Sequence, residues 1–143
     1  MSFKSDLKRG EAVELFVLML IRKKYPLAVK IEGKFKGYDL WIPELSKSVE
    51  VKYDPMSNRT GNLVIEVYMY GKRSGLLSST ADFWVFYDDK DLLWVDREEL
   101  MKFILLSDYP MRDITGNGDN NPKKVYLINK LKLKEHINER GKI

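Results

Sequence analysis

The sequence predicts an α/β fold: a mixed β-sheet flanked by helices, in one domain spanning residues 1–143. Three observations predict it. An apolar stretch from Ala12 to Ile21 has the length and end signals of a helix. Two segments, 37–42 and 48–53, alternate as adjacent strands do. Further strand-like runs, 82–87 and 92–95, then precede a capped helix.

In chain order, the first helix is expected over residues 6–24. Ser5 or Asp6 caps it, Lys23 and Lys24 suit its C-terminal end, and Pro26 stops it. It is apolar nearly all round after Gly10, which predicts packing on more than one side. Glu14 interrupts this run. An unpaired carboxylate there is costly, so it needs a cationic partner or a place in a polar site.

A strand is expected over 27–31, followed by a turn over 32–37 with two glycines and the lysines Lys34 and Lys36. That turn suits either a phosphate-contacting loop or a solvated hairpin. The two central strands follow, joined by residues 43–47. The period of two puts Glu50 and Lys52 on one strand face, and Val49, Val51 and Tyr53 on the other. Asp39 precedes Glu50 by 11 positions, a spacing that suits a hairpin partner.

Residues 54–61 read as turn, and 62–70 as a strand with Leu63, Ile65, Val67 and Met69 on one face. Glu66, on the other face, suits metal assistance, substrate contact or a cross-strand pair with Lys52. Arg59, Thr60 and Asn62 are phosphate-contacting types, and Lys72, Arg73 and Ser74 form a glycine-flanked basic loop suited to a backbone clamp. A solvated connection fits that loop equally well. A short helix is expected over 76–81, and a tight polar turn over 88–91. The strand aromatics here read as core first and as base-stacking platforms second. Asp96 caps a helix ending at Leu106, 107–122 reads as loop, 125–128 as a late strand, and the basic tail 130–143 is ambiguous.

The chemistry concentrates at Asp39, Glu50 and Lys52, the pattern Asp-x10-Glu-Val-Lys. Two carboxylates suit a hard cation such as Mg2+, with Mn2+ as a substitute and the Val51 carbonyl as a third oxygen. Lysine suits orientation of a water or neutralisation of developing charge. The competing reading is a surface Glu–Lys pair with Asp39 ending a turn. Other chemistries are disfavoured. There are no cysteines and only one histidine, His136, which excludes disulfides and thiolate catalysis and disfavours His-based centres. No nucleotide-binding fingerprint or membrane-length apolar run occurs, and residues 1–6 lack a signal-peptide pattern, so a cytoplasmic setting is the default expectation. The net charge of +4 permits a polyanionic partner without identifying one.

Asp39 with Glu50-Val51-Lys52 resembles the core of the PD-(D/E)XK nuclease superfamily, with Tyr38 where the family name has proline. Arg9-Gly10-Glu11-Ala12-Val13-Glu14 is similar to the opening of archaeal-type Holliday junction resolvases. Residues 60–66, 74–76 and 81–85 resemble segments of small phage- and virus-encoded members. The resemblance spans about residues 9–95. It implies a restriction-endonuclease-like sheet and a Mg2+-dependent DNA endonuclease. Asp39 and Glu50 would be the metal ligands, Lys52 would act on water, and Glu14 would complete the site. It further implies selectivity for branched DNA by a homodimer, with Tyr68, Tyr70, Leu76 and Leu77 as candidates for its interface. The alternatives are a restriction- or recombination-type nuclease, or a non-catalytic nucleic-acid-binding or assembly module.

Overall fold

The computed structural model describes residues 3–33, 37–115 and 122–140. Their contacts gather into two compact units. Residues 1–53 and 80–96 form one, and residues 54–79 and 97–143 the other.

The first unit is built on helix α1 (Phe3–Arg22) and strands β1 (Val29–Lys30), β2 (Leu40–Ile42), β3 (Lys47–Tyr53), β6 (Phe83–Tyr87) and β7 (Leu92–Asp96). They make a five-stranded mixed sheet in the order β1-β2-β3-β6-β7. The β3–β6 pair is parallel and the other pairs are antiparallel. Val13, Val17, Leu18 and Ile21 of α1 pack with Leu40, Ile42, Val49, Val51 and Val85. The expected alternation in β3 is therefore realised, with its valines in the core. Glu50 and Lys52 lie in register with Trp84 and Phe86 on the other face. Helix α1 does not bury its whole apolar surface: Leu15, Phe16 and Met19 remain exposed.

A polar clasp sets the parallel β3–β6 register. The Asp82 carboxylate accepts the Ser48 N–H at 2.8 Å and the Ser48 hydroxyl at 3.0 Å. The Asp82 N–H in turn donates to Ser48 Oγ at 2.9 Å. At the far end, Asp88 Oδ1 accepts the N–H groups of Lys90 and Asp91, closing the polar β6–β7 turn as expected.

The second unit contains the short helix α2 (Ser57–Thr60), strands β4 (Asn62–Met69) and β5 (Lys72–Arg73), and a 3-10 turn at Gly75–Leu77. It continues with α3 (Arg97–Leu106), β8 (Met111–Thr115), β9 (Pro122–Asn129) and α4 (Lys130–Arg140). Its four strands form an antiparallel sheet ordered β5-β4-β9-β8. Leu63, Ile65 and Val67 on β4 are buried with Leu76, Leu100, Phe103, Ile104, Val125, Ile128 and Leu133.

Several expectations need correcting here. Part of the expected loop over 107–122 is strand β8, and β9 is longer than the strand expected over 125–128. The ambiguous tail is helical to Arg140. The helix expected over 76–81 is a single 3-10 turn. Strand β8 escapes sequence reading because Met-Arg-Asp-Ile-Thr shows no alternation. It is an exposed edge strand held by pairing with β9. Leu76 is 2% exposed, so it closes the core of its unit rather than offering an interface.

Candidate active site

Glu50 and Lys52 lie on β3, and Asp39 is hydrogen-bonded to that strand. The Asp39 N–H donates to the Val49 carbonyl at 2.9 Å, while Leu40 is the register partner of the same Val49. Two successive residues thus address one, as in a β-bulge. The Asp39 side chain then turns along β3, and its Oδ2 accepts the Val51 N–H at 2.8 Å. The Asp39 carbonyl accepts from Ile31 N–H at 2.8 Å. Asp39 is only 6% exposed and is held by Ile31 on one flank and by β3 on the other. Its bonds to Val49 and Val51 bracket Glu50 along β3.

Glu50 pairs with Lys52 at 3.4 Å, two residues along the same strand face. The Lys52 ammonium also lies 5.1 Å from the centre of the Trp84 ring, the register partner of Glu50. An ion pair and a cation–π contact restrict where this long side chain reaches. Glu14 of α1 pairs with Lys30 of β1 at 3.6 Å, which realises the salt-bridge reading for that carboxylate.

Tyr53, at the end of β3, adds a feature the sequence did not signal. Its hydroxyl donates to the Asp89 carboxylate, 2.8 Å from both oxygens. That hydrogen bond raises the Tyr53 pKa above its ordinary value, with burial and the Asp89 charge adding to it and Arg9 opposing it. The Tyr53 ring stacks near Tyr87, which in turn meets Phe16.

Asp39 and Glu50 supply oxygen donors only, and the Val51 carbonyl is of the same kind. Such a set fits Mg2+ or Mn2+, which bind through one or two carboxylates while keeping waters and phosphate oxygens. It offers nothing that favours zinc or copper. Among the described residues, no group of three or more His, Cys, Asp or Glu side chains is arranged to hold a metal ion.

The remaining expected residues lie apart in sequence and role. Arg9 is exposed on α1. Lys34 and Lys36 lie outside the described residues. In the second unit, Thr60 is occupied locally, donating to the Met56 carbonyl at 3.2 Å and accepting the Asn62 N–H at 3.1 Å. Arg59 is exposed beside it. Lys72 and Arg73 are exposed on β5, whereas Ser74 Oγ is buried with no hydrogen-bond partner among the described residues. Glu66 pairs with Lys123 at 3.7 Å, and β4 and β3 belong to different sheets, so of the roles weighed for Glu66 the cross-strand pairing with Lys52 does not form. Sequence reading also missed Lys130. It is 9% exposed, and its ammonium donates to Ser57 Oγ at 3.1 Å and Asn58 Oδ1 at 3.2 Å, tying α4 to α2.

No helix among the described residues is long and apolar enough to cross a membrane. Comparison with known proteins finds no matching family model, no matching curated protein and no matching solved structure.

Proposed function

We propose that this chain is a Mg2+-dependent DNA endonuclease of the PD-(D/E)XK type, with a restriction-endonuclease-like first unit. The observation that carries the reading is Asp39 hydrogen-bonded to the residues on either side of Glu50, with Lys52 paired to Glu50. The mixed sheet with α1 on one face agrees with the fold that the resemblance implies.

In this reading Asp39 and Glu50 hold the cation. A bound Mg2+ would polarise the phosphodiester and ease ionisation of a water. Asp39 contributes rigidity, since its backbone and carboxylate are both fixed by β3. With Glu50 as a ligand, Lys52 would be freed from its ion pair, and its ammonium would be available to the charge developing on phosphate. The Trp84 ring, 5.1 Å from the Lys52 ammonium, would keep that side chain on this strand face. The resemblance makes Glu14 a further acidic candidate, and a role at the cation would require its release from Lys30.

Selectivity for branched DNA follows from the resolvase-like Gly10-x-x-x-Glu14 opening, and a homodimer would supply the two nicks that a junction needs. A non-catalytic nucleic-acid-binding module is the second reading. The two ion pairs Glu14–Lys30 and Glu50–Lys52 favour it, because both are also what a purely structural surface contains.

The test is a cleavage panel of linear, flapped and four-way DNA with Mg2+ or Mn2+, run beside Glu50→Gln and sedimentation at micromolar concentration. The nuclease reading requires cleavage by the wild type that Glu50→Gln loses. Equal activity in both, or none in either, overturns it. A strict monomer cutting linear duplex as fast as a junction discards only the resolvase assignment.

A further inference from the structure

Strand β7 is the last strand of its sheet. It pairs with β6 without a bulge, and no strand among the described residues joins its outer side. An edge of this kind presents a row of N–H and C=O groups that another strand can pair with. Natural sheets blunt such edges with lysine, proline or a bulge. Leu92, Leu93, Trp94 and Val95 supply none of these.

An apolar cleft of about 430 Å3 lies against this edge. The sheet contributes Phe83, Leu92 and Trp94 to it, and the helix contributes Leu20 and Ile21. The register explains the opening. Val85 pairs with Trp94 and Tyr87 with Leu92, so both β7 side chains share the face that carries the core valines. Helix α1 packs over β2, β3 and β6 on that face and leaves Leu92 and Trp94 half-buried. One turn before Leu20, Phe16 extends the apolar border: its ring lies 5.1 Å from that of Tyr87, the register partner of Leu92.

The charged residue lining the cleft is Lys24, in the turn that closes α1. Its ammonium lies 5.5 Å from the centre of the Tyr25 ring and pairs with no carboxylate among the described residues. The cleft therefore joins an apolar surface to an available cation.

These features together select the occupant. A small anion would meet Lys24 and leave the strand edge unused. An extended peptide uses both. Its main chain continues the ladder beyond β7, and every second side chain turns to the α1 face, where the cleft receives it. The five residues of β7 span about 17 Å, which accommodates about three side chains on that face.

We infer that the β7 edge and its cleft form a docking site for an extended segment of a partner protein. The segment has large apolar residues at alternate positions and an aspartate or glutamate side chain that meets Lys24. Glu50 and Lys52 lie on the other sheet face, so the site does not rest on the nuclease reading.

The experiment selects short random segments from a displayed library on the immobilised full chain. The best segment is then measured by anisotropy as a labelled peptide, acetylated and amidated so that only side chains carry charge. Selected segments are expected to alternate large apolar residues with others and to contain a carboxylate. Leu20→Lys is expected to weaken binding at least about tenfold, and Lys24→Glu about tenfold, with Lys24→Glu favouring the peptide whose acid is replaced by lysine. Circular dichroism verifies folding. N-methylation of the peptide tests the ladder with the wild-type chain alone: methyl groups on amides of one parity abolish binding, and on the other parity they leave it intact. No enrichment, equal effects of the two methylation sets, or an acid preference unchanged in folded Lys24→Glu overturns the site. Displacement of the peptide by free phenylacetate at equal concentration reassigns the cleft to a small carboxylate and overturns the partner segment. A dimer of the free chain in sedimentation that Leu20→Lys dissociates gives the edge to a second copy and overturns it equally.

Discussion

Each unit contains a glutamate–lysine pair on its sheet: Glu50–Lys52 at 3.4 Å and Glu66–Lys123 at 3.7 Å. By distance they are nearly the same interaction. Their surroundings differ. Glu50 lies between the two β3 residues to which a buried aspartate, Asp39, is bonded, and its lysine lies over an indole ring. Glu66 sits near the end of a ribbon where Lys72, Arg73 and Lys124 add positive charge. In the proposed nuclease reading, a second carboxylate fastened to the same strand would make Glu50 a cation ligand. A carboxylate among cations balances part of their charge. Ion-pair geometry alone does not separate the two cases; the neighbouring backbone and its hydrogen bonds do.

The sharpest way to break this comparison is to neutralise each glutamate in turn. Glu50→Gln is expected to lower metal-dependent cleavage by at least about two orders of magnitude, with metal-free DNA binding unchanged or stronger. Glu66→Gln is expected to leave cleavage intact and to strengthen binding slightly. Equal losses from both, in single-turnover assays, would erase the distinction.

Asp39 offers the next largest effect. Asp39→Ala strands the buried Val51 N–H and is expected to cost about 1–3 kcal/mol, read by urea or thermal unfolding. Asp39→Asn keeps an acceptor of the same shape and should recover most of that stability while remaining inactive. If the asparagine variant cleaved DNA normally, the aspartate would be a strand fastener and nothing more.

Gly75 probes the second unit on its own. Its φ of +49° disfavours any other residue, and a Cβ there would collide with the Glu66 carbonyl. Gly75→Ala is expected to cost more than about 1 kcal/mol, and hydrogen exchange should rise first in β4. Faster exchange confined to β3 and β6 would contradict this.

The smallest effect belongs to Tyr53. Its folded-state pKa lies above the unfolded value because the protonated phenol donates to Asp89. The stabilisation is therefore complete below the ordinary tyrosine range near pH 10 and is lost as pH rises through the raised folded value. Tyr53→Phe is expected to remove one phenolate that ionises above the ordinary tyrosine range from the ultraviolet titration of the native protein, with little change in stability at neutral pH. An unaltered titration would show that Asp89 does not hold the hydroxyl in solution.

What sequence alone determined about this protein is what local patterning encodes. The alternation around Glu50 placed Val49 and Val51 in the core and set the charged pair on the other face. Helix α1 was visible in its apolar run, the β6–β7 turn in its aspartates, and α3 in its acidic first turn. Periods of 3.6 and 2 are written residue by residue, so these elements required no knowledge of their partners. Tertiary structure decided the rest. The clasp between Ser48 and Asp82 joins residues 34 apart, Lys130 reaches Ser57 across 73, and β8 exists only because β9 lies beside it. The same holds for Asp39. Its spacing to Glu50 announced a hairpin, but the bulge that aims its carboxylate at the Val51 N–H depends on both strands being in place. Long-range pairing is selected by which backbone groups and side chains are satisfied when distant segments meet, and no window of local sequence carries that information.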